Sequence, residues 1–146
     1  MATSDGISSQ DWDVIHELAV DVVNASDNEK AAYSKRLMDY LDTLELKYGP
    51  LPSILATRAD YLPKDEPARR NLLLRAYQSA QASGDFQNQL LVAQSLAELH
   101  LEKVELFDAN DWLERMRSHL LALNDADYSE YERLRTNYRK LTLRKV

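Results

Sequence analysis

Apolar side chains recur every three or four residues along nearly the whole chain, and no segment alternates with the two-residue period of a strand bounded by turn residues. The pattern predicts an all-α fold of about seven helices. The first runs from about Gln10 to Ala25, capped by Ser8 or Ser9, with Trp12, Ile15, Leu18, Ala19 and Val22 as its apolar stripe. Ser26 or Asp27 caps the second, in which Tyr33, Leu37, Tyr40, Leu41, Leu44 and Tyr48 keep helical spacing until Gly49–Pro50 stops it. These two form an N-terminal hairpin, residues 10–48.

Leu51–Pro52 opens a short third helix, Ser53 to Leu62, and Pro63 ends it because proline cannot continue the hydrogen-bond ladder. Asp65, with Pro67 in the first turn, starts a fourth, about Glu66 to Ser83, and Gly84 ends it. Asp85 caps the fifth, Phe86 to about Glu105, whose Leu90, Leu91, Ala93, Leu96, Ala97, Leu99, Leu101 and Val104 spread over more than one face. So wide an apolar surface predicts contact from two sides. The sixth follows Asp108, with Trp112, Leu113, Met116, Leu120 and Leu123 on one stripe, and Asn124–Asp125 breaks it. The seventh, about 127–143, carries the narrow stripe Tyr128, Tyr131, Leu134, Tyr138 and Leu141, as expected of a helix that closes a stack.

A chain of 146 residues fits a single domain, long enough to bury roughly two thirds of its unfolded surface. With 45% hydrophobic and 29% charged residues, three Gly and four Pro, the composition is that of a helix-rich globular protein. The absence of Cys excludes disulfides and thiolate-bound metal. The first residues are polar and acidic, and no apolar run approaches the ~18 residues that span a bilayer. These features point to the cytoplasm and away from a membrane.

The formal charge of −6 is uneven. Residues 1–50 hold ten acidic and four basic side chains, while the other two thirds balance, and the last stretch is basic through Arg133, Arg135, Arg139, Lys140, Arg144 and Lys145. That basic run suits the negative end of a helix dipole. An acidic chain lacks the phosphate-neutralising face that nucleic acid requires, so a basic protein partner fits better.

Two helix pairs superimpose at an offset of 38 to 40 residues: Ile54–Leu62 on Val92–His100, and Leu73–Gly84 on Leu113–Asn124. The small residues Ala59 and Ala97, the run Leu96–Ala97–Glu98–Leu99–His100, a Phe107–Asp108 turn, and Trp112–Leu113 with Met116 resemble the tetratricopeptide repeat over residues 51–124. The same spacing also occurs in an irregular bundle. The resemblance departs at Pro63–Pro67, which lengthens one turn, and at Val104–Asp108, which replaces the usual short Gly-Asp turn. It implies a short solenoid of stacked antiparallel hairpins with capping helices at both ends, and a concave face lined by residues 53–62 and 86–105.

Catalytic and metal chemistry finds no support in the sequence. His16, His100 and His119 lie on separate helices, and His16–Glu17–Leu18–Ala19–Val20 has Val where a zinc-protease motif needs its second His. There is no phosphate loop, nucleophile elbow or Cys nucleophile. The carboxylate pairs Asp11/Asp13 and Asp108/Asp111 fall in first helical turns, where capping and the helix dipole account for them. The chain is therefore expected to be no enzyme and to use no cofactor or metal.

Two acidic groupings remain as candidate docking residues. Asp13, Glu17 and Asp21 stack at i, i+4 and i+8, a spacing at which like charges cost roughly 0.2–0.5 kcal/mol per pair. Either a solvated outer face or a docking ridge tolerates that. Glu98, Glu102, Glu105, Asp108 and Asp111 lie on or just after the fifth helix, on the wall expected to be concave. In size, charge and repeat-like helices the chain resembles small acidic bacterial immunity proteins, which implies a non-catalytic module that neutralises a basic toxin domain. A secretion chaperone or adaptor holding a peptide in its groove, or a regulatory fragment of a larger protein, fits the same pattern.

Overall fold

The computed structural model describes residues 2–63, 66–123 and 126–144. Seven helices run along them: α1 (Ser9–Asn24), α2 (Lys30–Tyr48), α3 (Pro52–Asp60), α4 (Pro67–Ser83), α5 (Phe86–Glu102), α6 (Leu106–Ala122) and α7 (Ser129–Arg144). No strand occurs among the described residues, so the fold is all-α as the periodicity predicts. The Asp65 start signal, the Asn124–Asp125 break and Lys145 lie outside the described residues.

Most boundaries follow from local chemistry. Ser8 Oγ accepts the Asp11 N–H at 3.1 Å and caps α1. Pro52 and Pro67 occupy the first turns of α3 and α4, where a missing N–H costs nothing. The start of α2 departs from expectation: Glu29, not Ser26 or Asp27, is its cap residue. Ser26 organises the turn instead, its carbonyl accepting the Glu29 and Lys30 N–H groups and its hydroxyl donating to the Glu29 carboxylate at 2.6 Å.

The end of α5 is the larger correction. Two helix endings share one design, in which a left-handed residue lets the chain fold back onto the last turn. At Gly84, φ is 69°, and Asp85 N–H donates to the Ala80 carbonyl at 2.9 Å. At Val104, φ is 56°, and Glu105 N–H donates to the His100 carbonyl at the same 2.9 Å. Thus α5 stops at Glu102, α6 begins at Leu106, and the expected Phe107–Asp108 turn lies inside the first turn of α6.

The interior divides into two clusters. Ile15, Val22, Leu37, Leu41 and Leu44 of the first two helices enclose Ile7 and Ile54. The second cluster joins α3 to α7 and is centred on α5, which packs against α3, α4, α6 and α7. Ile54 serves one cluster and Leu55 the other, so the short α3 couples the two through adjoining faces. Ala59 and Ala97, the small positions of the proposed repeat, are fully buried.

Polar contacts tie the parts together. The Asp11 carboxylate accepts from Tyr48 Oη at 2.6 Å, Lys47 Nζ at 2.8 Å and Tyr40 Oη at 3.2 Å, clasping α1 to α2. Residues 3–8 lie across the starts of α3 and α5. There Asp5 accepts the Ser53 N–H at 2.7 Å, and Ser4 Oγ donates to Asp85 at 2.9 Å. Tyr77 joins α4 to α6 by an edge contact with Trp112 and a 2.8 Å hydrogen bond with His119.

Candidate partner-binding face

Beside the core stripe of α1 run two adjoining strips. His16, Val20 and Val23 are exposed on one, next to Trp12 and Ala19 at the edge of the core, and the exposed acids Asp13, Glu17 and Asp21 form the other. Val20 and Val23 are 53% and 70% exposed. None of the three acids has an ion-pair or hydrogen-bond partner among the described residues. The sequence reading assigned Trp12 and Ala19 to the core stripe of α1 and treated the acids as a ridge; His16, Val20 and Val23 beside them were not grouped with either.

Three open hollows continue from that strip. The first, about 370 Å³, lies between α1 and Tyr61 and is lined by Val20 and Val23. It shares His16, Ala19 and Tyr61 with a second of about 340 Å³, walled by Trp12 of α1, Ala56 and Asp60 of α3, and Asn88 of α5. That one shares Leu91 and Gln94 with a third of about 420 Å³, which reaches Leu120 of α6 and Glu130 at the start of α7. The shared walls set the three hollows side by side along one face, a channel in outline, across α1, α3 and α5 to the start of α7. It contains the α3 and α5 faces that the repeat resemblance marked as concave, and it adds α1.

The lining carries carboxylates, one of them engaged within the chain: Glu130 pairs with Arg133 at 2.7 Å. Among the described residues no Lys or Arg lines any of the three hollows, whereas Asp60, Asp127 and Glu130 do. Asp60 sits exposed at the mouth, yet the protein crowded around it pushes its carboxyl above the usual carboxylate range. The nearby Arg69 opposes that shift and Glu98 adds to it. At Asp127 the Ser129 hydroxyl and N–H hold the carboxyl below the usual range. Leu91, 58% exposed, stands where the second and third hollows meet. Sequence reasoning passed over Asp60 and counted Leu91 only within the wide apolar surface of the fifth helix, whereas Leu91 is exposed.

The second acidic grouping is split and largely engaged within the chain. Glu98 accepts from Arg133 of α7 at 2.6 Å, and Glu102 lies 3.9 Å from Arg69 of α4. Arg69 itself is 11% exposed, and its Nε and Nη1 have no hydrogen-bond partner. Because α5 ends early, Glu105, Asp108 and Asp111 belong to the start of α6 rather than to the α5 wall. Asp111 pairs with Arg115 one turn on. The Glu105 side chain turns back to His100 Nδ1 at 3.2 Å.

Donor atoms of His100, Glu105 and Asp108 all fall within 4.8 Å of one another, as metal ligands would. Their placement also has a local cause. His100 lies in the last turn of α5 and Glu105 and Asp108 at the start of α6, where the two carboxylates suit the positive end of that helix. The positive end of α6 opposes a cation there.

Among the described residues no helix is long and apolar enough to cross a membrane. Comparison with protein-family models, curated proteins and solved structures finds no match.

Proposed function

We propose that the protein is a non-catalytic, cytoplasmic binding module that captures a basic protein on its channel face, neutralising it as an immunity protein neutralises a toxin domain. The α1 ridge beside the channel carries this reading: Asp13, Glu17 and Asp21 have no partner among the described residues, and the channel they flank mixes apolar and polar side chains with no Lys or Arg among its described lining. Fixed negative charge of this kind steers a cationic partner and raises its association rate, while exposed apolar side chains such as Leu91 supply the contact that slows dissociation. A stack of tetratricopeptide-type hairpins is the architecture assumed. It draws support from α4 and α6, both 17 residues long with starts at Pro67 and Leu106, and from the buried Ala59 and Ala97.

The internal pairing of Glu98 and Glu102 separates the two acidic groupings. Their attraction is already directed at Arg133 and Arg69, so the α1 ridge offers more charge to a partner. Reversing Glu98 and Glu102 would test chain stability as much as binding. The chaperone or adaptor reading uses the same channel and rests on its exposed Leu91; it differs in expecting weak binding to many peptides.

The test is calorimetric titration with a basic protein encoded by an adjacent gene, using the wild-type chain and the Asp13→Lys, Glu17→Lys, Asp21→Lys triple variant; an adjacent gene without such a product would count against the immunity reading. A one-to-one complex is expected, with affinity at least about tenfold lower in the triple variant and falling with added salt. Equal affinity of both chains for the partner would remove the ridge from the interface.

A further inference from the structure

We infer that the outer face of α7 docks on the α1 ridge of a second copy of this chain, so that the protein associates with itself through helices of opposite charge.

The sequence of α7 sorts its charges by position. Its carboxylates, Glu130 and Glu132, stand in the first turn, and beyond them every charged residue of the helix is a cation. Two of those cations are used within the chain: Arg133 pairs with Glu98 and Glu130, and Arg135 donates to Asn110 at 2.8 Å. Arg139, Lys140 and Arg144 are exposed and have no ion-pair or hydrogen-bond partner among the described residues. Thr136, Lys140 and Arg144 follow one another at i, i+4 and i+8, with Arg139 and Leu143 beside them, so all five share the outer side of the helix. Tyr131, Leu134, Tyr138 and Leu141 hold the inner side against the core. The helix dipole accounts for Arg144 in the last turn, but its effect fades within that turn and leaves Arg139 and Lys140 unexplained.

The α1 ridge has the same form with the opposite sign. Asp13, Glu17 and Asp21 also step at i, i+4 and i+8, spanning about 12 Å of a helix that contains no Lys or Arg. Each face sets an exposed aliphatic among its charges. Val20 stands beside Glu17 and Asp21, and Leu143, 74% exposed, lies one turn after Arg139. Packed together, the two faces bring the acids to the cations and cover both aliphatics. Within one chain they do not meet, because among the described helices α1 packs only against α2, and α7 only against α5 and α6. A second copy supplies what the first lacks. Two helix faces bury less than the roughly 1,200 Å² of a stable interface, and exposed ion pairs add little each, so the association is weak and sensitive to salt.

Sedimentation equilibrium of the full chain tests this at low salt and at about 1 M salt, where charges are screened beyond about 3 Å. Two variants are compared with the wild-type chain, Asp13→Lys, Glu17→Lys, Asp21→Lys and Arg139→Glu, Lys140→Glu, each checked for unchanged helicity. The wild-type mass should rise above the monomer value with concentration at low salt and return to it at high salt. Each variant alone should associate at least about tenfold more weakly, and an equal mixture of the two should associate again, because opposite charges face each other once more. That rescue also shows that both variants are folded. A wild-type chain that stays monomeric at low salt, association undiminished in either variant, or a mixture that stays monomeric would each overturn the contact. None of these results bears on capture of a basic protein by the ridge, which the calorimetric titration tests separately.

Discussion

Val104 is a β-branched residue at φ 56°, a conformation that glycine adopts freely and that costs other residues about 1–3 kcal/mol. It holds the place that Gly84 holds in the preceding turn, with the same fold-back hydrogen bond on the residue that follows. Val104→Gly is therefore expected to stabilise the chain by about 1 kcal/mol in urea denaturation, the relief of strain exceeding the extra chain entropy of glycine in the unfolded state. An unchanged or lower midpoint would show that Val104 packing outweighs its strain. The same residue explains the main misplacement in the sequence reading. The apolar period runs unbroken through Leu99, Leu101 and Val104 with no glycine to mark an end, so α5 reads as continuing to Glu105. The stop comes from backbone geometry that tertiary packing enforces, and periodicity does not register it.

At the scale of elements, α1 and α2 hold each other through a carboxylate as well as through their core. Tyr48 and Lys47 bonds keep the Asp11 carboxyl down at about 2, with Lys47 contributing most. A carboxyl depressed in the folded state favours folding when ionised. That contribution is complete above the ordinary Asp range near pH 4 and is lost as the pH falls from about 4 to about 2. Acid titration of stability should show this loss for the wild-type chain, and Asp11→Asn should flatten the curve across that interval while lowering stability at neutral pH. Identical curves would remove Asp11 from the clasp. The helices themselves were legible because most apolar stripes hold a buried set, as Leu37, Leu41 and Leu44 do in α2. The Asp11 clasp was not, because its partners stand some thirty residues away and a first-turn Asp already has a sufficient local explanation.

Across the whole molecule, the working surface is the feature least visible in the sequence. Asp13, Glu17 and Asp21 could be found on a helical wheel, since they share one helix. The channel beside them could not, because its walls come from α1, α3, α5 and the start of α7, and only the fold brings Val23, Asp60, Leu91 and Glu130 to one side. Folding also changed the meaning of Glu98 and Glu102, which read as groove acids until Arg133 and Arg69 arrive beside them. The account thus turns on one side of the molecule, α1, α3 and α5, being the side that meets a partner. Amide hydrogen exchange of the chain alone and in its one-to-one complex tests this most directly. The prediction is slowed exchange along α1, α3 and the first half of α5, with α2 and α4 unchanged. Protection confined to α2 and α4 would contradict it.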